Sequence, residues 1–83
     1  MIQLYAVKDL ASKTTQHPFP MECKRDAIDG LRRLANDSST TIYNHPNDFE
    51  LWYLGEYDQR NMEFHIDPSR IITAAELQVD ENA

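Results

Sequence analysis

Eighty-three residues, 41% of them hydrophobic, allow one domain with a modest core. The formal charge of −6 argues against strong non-specific binding to a phosphate backbone, and a single cysteine, Cys23, excludes an internal disulfide. No apolar run approaches the roughly 20 residues that span a bilayer, and residues 1–10 lack the basic and apolar regions of a signal peptide, so a soluble intracellular protein is expected.

Residues 2–9 alternate as a strand, with Ile2, Leu4 and Ala6 on one side and Gln3, Tyr5 and Val7 on the other. Residues 10–15 read as a loop or an irregular hairpin connection. His17-Pro18-Phe19-Pro20 is extended, and its two prolines, lacking N–H groups, confine it to a sheet edge. Residues 24–36 form the one clear helix: Ala27, Ile28, Leu31, Leu34 and Ala35 make a single apolar stripe. Asp26 suits its N-terminal end and Arg32 and Arg33 its C-terminal end, while Glu22 and Cys23 are poor N-caps. Gly30 costs about 1 kcal/mol against Ala in a helix interior, which suggests a close approach of helix to sheet there.

Residues 40–43 are a short β-branched stretch leading into Asn44-His45-Pro46-Asn47-Asp48, which is turn chemistry throughout. The run that follows is the most strand-like in the chain. Leu51, Tyr53 and Tyr57 fall on one face and Trp52, Leu54 and Glu56 on the other, so the strand is central. Gly55 interrupts it, which points to a bulge or a close backbone approach. Residues 58–61 make a hairpin loop, and Met62, Phe64 and Ile66 face inward on the return strand. Residues 70–79 fit either a strand (Ile71, Ile72) or a helical turn (Ala74, Ala75, Leu77), and 80–83 read as a flexible tail. The expected fold is a single α+β domain over residues 1–79. It has two layers, a mostly antiparallel four-stranded sheet and one amphipathic helix, in the order β-β-α-β-β plus a C-terminal tail. One helix covers one sheet face; the aromatics on both sides of the central strand favour a dimer over the other.

The chemistry-bearing residues are scattered. His17, Cys23, His45 and His65 show no CxxC, HxxH or HExxH spacing, so no metal is expected. The two glycines are far apart, which excludes a phosphate-cradling loop, and no carboxylate has an evident apolar setting for acid–base work. No cofactor is expected, and the chain reads as a non-enzyme.

Charge is uneven: residues 1–34 hold six Lys/Arg and four Asp/Glu, and residues 35–83 hold two and ten. Lys24, Arg25, Arg32 and Arg33 lie on the exposed side of the helix, with Lys8 and Lys13 flanking, and single-strand binders combine such a surface with aromatics on which bases stack. Trp52 leads the aromatic candidates, followed by Tyr53, Tyr43 and Tyr5. The plainer alternative stays open: Asp29 lies four residues from both Arg25 and Arg33, so the helix charges form surface pairs, and the aromatics belong to core or interface.

The segment His45-Pro46 with Asp48-Phe49, Leu51 and Leu54-Gly55-Glu56-Tyr57-Asp58 resembles the small non-structural protein of gokushovirus-type microviruses, tailless phages with circular single-stranded DNA. Leu4-Tyr5-Ala6-Val7-Lys8-Asp9 and the helix from Ala27-Ile28 to Leu34 fit the same layout, so the resemblance covers roughly residues 2–66. Gln59-Arg60-Asn61 departs from it, since family members usually carry a Gly in that hairpin. The resemblance implies a protein made in the host cytoplasm during infection, absent from the capsid, and assigned to single-stranded DNA production. It brings no catalytic residues. Two expectations follow. In one, a dimeric accessory binds single-stranded DNA through Lys8, Lys13, Lys24, Arg25, Arg32, Arg33 and Trp52. In the other, the acidic C-terminal half docks on a phage or host replication protein without touching DNA.

Overall fold

The computed structural model describes residues 1–79, so the tail expected at 80–83 lies outside the described residues. Three long strands carry the fold: β1 (Ile2–Asp9), β4 (Phe49–Asp58) and β5 (Glu63–Thr73), with β4 in the centre and all pairings antiparallel. The far edge of β1 is covered by two short strands, β2 (Thr14–Thr15) and β3 (Phe19–Met21). The sheet therefore has five strands rather than four. Pro18 and Pro20 lack the donors that would make the edge continuous, and it breaks in two.

One layer of helix covers half of one sheet face. Helix α1 (Lys24–Ala35) buries Ala27, Leu31 and Ala35 and rests Ile28 against the core, while Leu34, expected in the stripe, stays 42% exposed. Its N-cap, Cys23, makes no side-chain capping bond. Beneath the helix lie Tyr5, Val7, Phe49 and Leu51. Burying a Leu such as Leu51 stabilises by about 1.5–3 kcal/mol.

Residues 40–43 are not extended. The Thr40 hydroxyl accepts from the Tyr43 N–H and caps a helical turn, α2 (Thr41–Asn44), which drives Ile42 into the core. The ambiguous residues 70–79 divide: β5 runs to Thr73, and a capping box between Thr73 and Glu76 starts the turn α3 (Ala74–Leu77). The chain then locks onto the end of α1. Asn36 donates to the Leu77 carbonyl and accepts from the Val79 N–H, and Gln78 donates to the Ala35 and Tyr43 carbonyls.

The distal half of the β4–β5 hairpin projects past the helix as an arm, and the molecule is 49 Å long against 25 and 19 Å in its other dimensions. This overturns the inward placement of Met62, Phe64 and Ile66, which are 79%, 62% and 64% exposed. Phe64 and Ile66 alternate along β5 as expected and Met62 lies in the turn before it at φ 55°, but among the described residues no second layer covers them.

Gly55 governs the arm. It lies at φ +139°, and a Cβ there would come within 2.1 Å of the His65 carbonyl oxygen. Strand register slips beside it against both neighbours. One extra residue in β4 reverses the alternation beyond it. Tyr57 therefore pairs with Ile2 and Phe64 on the Trp52 face, and Glu56 pairs with Gln3 and His65 on the Leu51 face. The sequence expectation placed these two side chains the other way round.

Gly30 is the opposite case, because a Cβ there meets nothing within 4 Å, so no close helix–sheet approach requires it. Gly30→Ala should stabilise the protein by about 1 kcal/mol in urea denaturation. Gly55→Ala should cost at least about 2 kcal/mol, since the new methyl group meets fixed backbone at a φ that L-residues avoid. Equal effects of the two changes would contradict this assignment.

Candidate nucleic-acid interface

Opposite the helix, β1, β4 and β5 present a sheet face with no covering layer among the described residues. The strand register places Ile2, Leu4, Ala6 and Lys8 of β1 on it, with Glu50, Trp52 and Tyr57 of β4 and Phe64, Ile66 and Arg70 of β5. It is mostly apolar. Its charged groups gather at the end nearer the domain body.

There four side chains form one cluster. Arg70 Nε donates to Glu50 Oε2 at 2.6 Å, and Trp52 Nε1 donates to Glu50 Oε1 at 3.1 Å. One carboxylate thus orients both the guanidinium and the indole. Lys8 Nζ lies 5.1 Å from the Trp52 ring centroid, in cation–π range. Burial pushes the Glu50 carboxyl up. Hydrogen bonds from Arg70 and Trp52, and the charges of Arg70 and Lys8, outweigh it and hold the group below its ordinary value. Its side chain is 12% exposed and that of Arg70 45%, so the carboxylate serves as an anchor while the guanidinium faces outward. Leu54, Pro68 and Thr15 line a shallow pocket with Lys8 and Trp52.

The sequence candidates divide between two sides of the molecule. Lys8 and Trp52 come together on the open sheet face. Lys24, Arg25, Arg32 and Arg33 ride on α1, in the layer packed on the other face. Within the helix Arg32 pairs with Asp29 at 2.5 Å, one turn away, rather than Arg25 or Arg33. Lys13 sits exposed at φ +59° in the β1–β2 turn, apart from the helix. Of the other aromatics, Tyr5 is 1% exposed in the core and Tyr53 packs edge-on against it at 5.6 Å, while Tyr43 sits exposed on α2.

Sequence reasoning missed Glu50, Arg70, Tyr57 and Phe64. Arg70 stood in a stretch that fitted two structures, and its pairing opposite Trp52 needed the register. Tyr57 was assigned to the wrong face because the bulge was recognised but the reversal after it was not applied. Tyr57 and Phe64 lie 4.8 Å apart, centroid to centroid, and extend the aromatic surface along the arm.

The arm's other side is acidic. Glu56, Asp58, Glu63 and Asp67 share it with His65. Burial pushes the Tyr53 phenol up, and the carboxylates of Glu56 and Asp67 add to the shift. Among the described residues no group of three or more His, Cys, Asp or Glu is arranged to hold a metal ion, and no helix is long and apolar enough to cross a membrane.

A family model described as Phage ORF5 protein matches residues 2–77 of the chain. No curated protein and no solved structure matches it.

Trp52 is the one tryptophan in the chain, so its fluorescence reports on the cluster. Because the folded Glu50 carboxyl titrates below its unfolded value, its contribution to stability is complete above the unfolded pKa and disappears as pH falls through the folded one. Acid titration of the folded protein should change Trp52 emission with a midpoint below that of an ordinary glutamate. Glu50→Gln should abolish that step; a step that survives the substitution would assign it to another group.

Proposed function

The chain belongs to the Phage ORF5 protein family, and from that premise we propose that it binds single-stranded DNA on the open sheet face. The chain acts there as a non-structural protein of a gokushovirus-type phage during genome production in the host cytoplasm. The observation that carries this reading is the Lys8–Trp52–Glu50–Arg70 cluster at one end of an uncovered, aromatic sheet face. Proteins that hold single strands without reading sequence need two things, cations for phosphates and flat rings for bases. Both are present here within one cluster.

The energetics favour exchange. The Lys8–Trp52 contact is worth about 0.5–1 kcal/mol at an exposed site, whereas a base stacked on an aromatic ring is worth about 1–3 kcal/mol. A phosphate therefore draws Lys8 off the ring while a base takes its place. Glu50 keeps the indole and the guanidinium in position throughout. This is a binding role, and no residue is assigned to catalysis. Duplex DNA is disfavoured, since its bases are not free to stack and its denser phosphates meet the chain's net negative charge.

A second reading has its own observation. Glu56, Asp58, Glu63 and Asp67 make one side of the arm acidic, which suits a basic surface on a phage or host replication protein.

Fluorescence anisotropy with labelled single-stranded and duplex oligonucleotides separates these readings. Single strands should bind more tightly, and with two cations engaged log K should fall against log salt with a slope of about −1.4. Trp52→Ala should weaken binding by about 1–3 kcal/mol, fivefold or more, whereas Arg32→Ala/Arg33→Ala should leave it within twofold. The reverse pattern would move the site to the helix layer. No binding at tens of micromolar protein in low salt would leave the acidic side of the arm as the working surface.

A further inference from the structure

We propose that the apolar part of the open sheet face, along the arm, is the docking surface for a second copy of this chain. The patch consists of Ile2, Leu4, Leu54, Tyr57, Phe64 and Ile66, which strand register and the Leu54 pocket place on one side of β1, β4 and β5. Phe64 and Ile66 are 62% and 64% exposed, whereas the helix-covered half of the sheet buries Val7 and Leu51 to 6% and 0%. An apolar strip left this open is costly in water and marks a contact surface.

Three observations select a second copy as the occupant. First, the strip carries no charge. A two-fold contact sets each patch against itself, so a charged patch would face its own sign, and two chains of net charge −6 need an uncharged meeting surface. The opposite side of the arm, with Glu56, Asp58, Glu63 and Asp67, fails that condition. Second, edge-to-edge pairing is obstructed on both sides of the sheet. Pro20 lies in β3 and Pro68 in β5, and each interrupts the row of N–H donors another strand would need. Copies therefore meet by their faces. Third, the area is sufficient for a reversible dimer. A large aromatic side chain buries about 150–250 Å², so Phe64 at its exposure offers on the order of 100 Å². With its five neighbours, four of them themselves half-buried, the strip gives at most on the order of 500 Å² per copy. Two copies then bury at most on the order of 1,000 Å², the size of a weak, reversible contact. The dimer is accordingly concentration-dependent, and it leaves the Lys8–Trp52–Arg70 cluster, nearer the domain body, uncovered. The inference does not rest on DNA binding.

Sedimentation equilibrium of the full chain without nucleic acid, from about 1 to about 500 μM, tests it. The wild type should pass from monomer to dimer across that range. Phe64→Asp and, separately, Ile66→Asp should each raise the dissociation constant at least tenfold. Both positions lie outside the core, and far-ultraviolet circular dichroism checks that the fold is kept. Glu63→Gln, on the acidic side, should leave the constant within twofold. A wild type that stays monomeric at 500 μM would overturn the proposal and leave the strip to nucleic acid or a foreign protein. A dimer that is indifferent to Phe64→Asp and Ile66→Asp would also overturn it.

Discussion

The close contact between Gly55 and the backbone of β5 shapes everything beyond it. With no Cβ, Gly55 lets the His65 carbonyl approach to a distance that no other residue type permits; β4 carries one extra residue against β1, and β5 carries one extra residue against β4. Alternation then restarts on the other foot. Without the bulge, Tyr57 would point toward the helix side and Glu56 toward the open side. With it, the apolar and aromatic side chains of three strands gather on one face and the carboxylates of the arm on the other. A single backbone irregularity thus turns an ordinary alternating strand into a two-sided arm.

The domain body holds the arm without covering it. Helix α1, the turns α2 and α3 and the Asn36 and Gln78 hydrogen bonds close one half of the sheet around Tyr5, Val7 and Leu51. The helix has twelve residues, about 18 Å at 1.5 Å per residue, and is little more than half as long as β4, about 33 Å at 3.3 Å per residue. The exposed arm follows from that mismatch in length. Its base is pinned by a charge network on the open face, where Glu50 joins a ring, a guanidinium and, through the ring, an ammonium group.

Much of the architecture was legible in the residues. The strand at 2–9, the helix stripe, the central position of β4 and the irregularity at Gly55 follow from periodicity and backbone chemistry. What escaped depends on distance along the chain. Ile42 reads as a strand residue until Thr40 is seen to cap a turn. Phe64 and Ile66 read as inward until the helix is seen to end before it reaches them. Gly30 suggested a tight approach that the packing does not contain. The candidate site was partly visible: Lys8 and Trp52 were singled out by residue type, but grouped with helix cations that the fold places on the opposite layer. Arg70 and Glu50 became visible once the β4–β5 register set one across from Trp52 and the other beside it.

We propose that single-stranded DNA binds the open sheet face at Lys8, Trp52 and Arg70 and not the helix layer. Proton–nitrogen correlation spectra recorded while a short single-stranded oligonucleotide is titrated in would test it residue by residue. The Trp52 indole N–H and the backbone of Lys8, Trp52 and Arg70 should shift, with residues 24–35 unmoved. Shifts confined to residues 24–35, with a silent Trp52 indole, would contradict it.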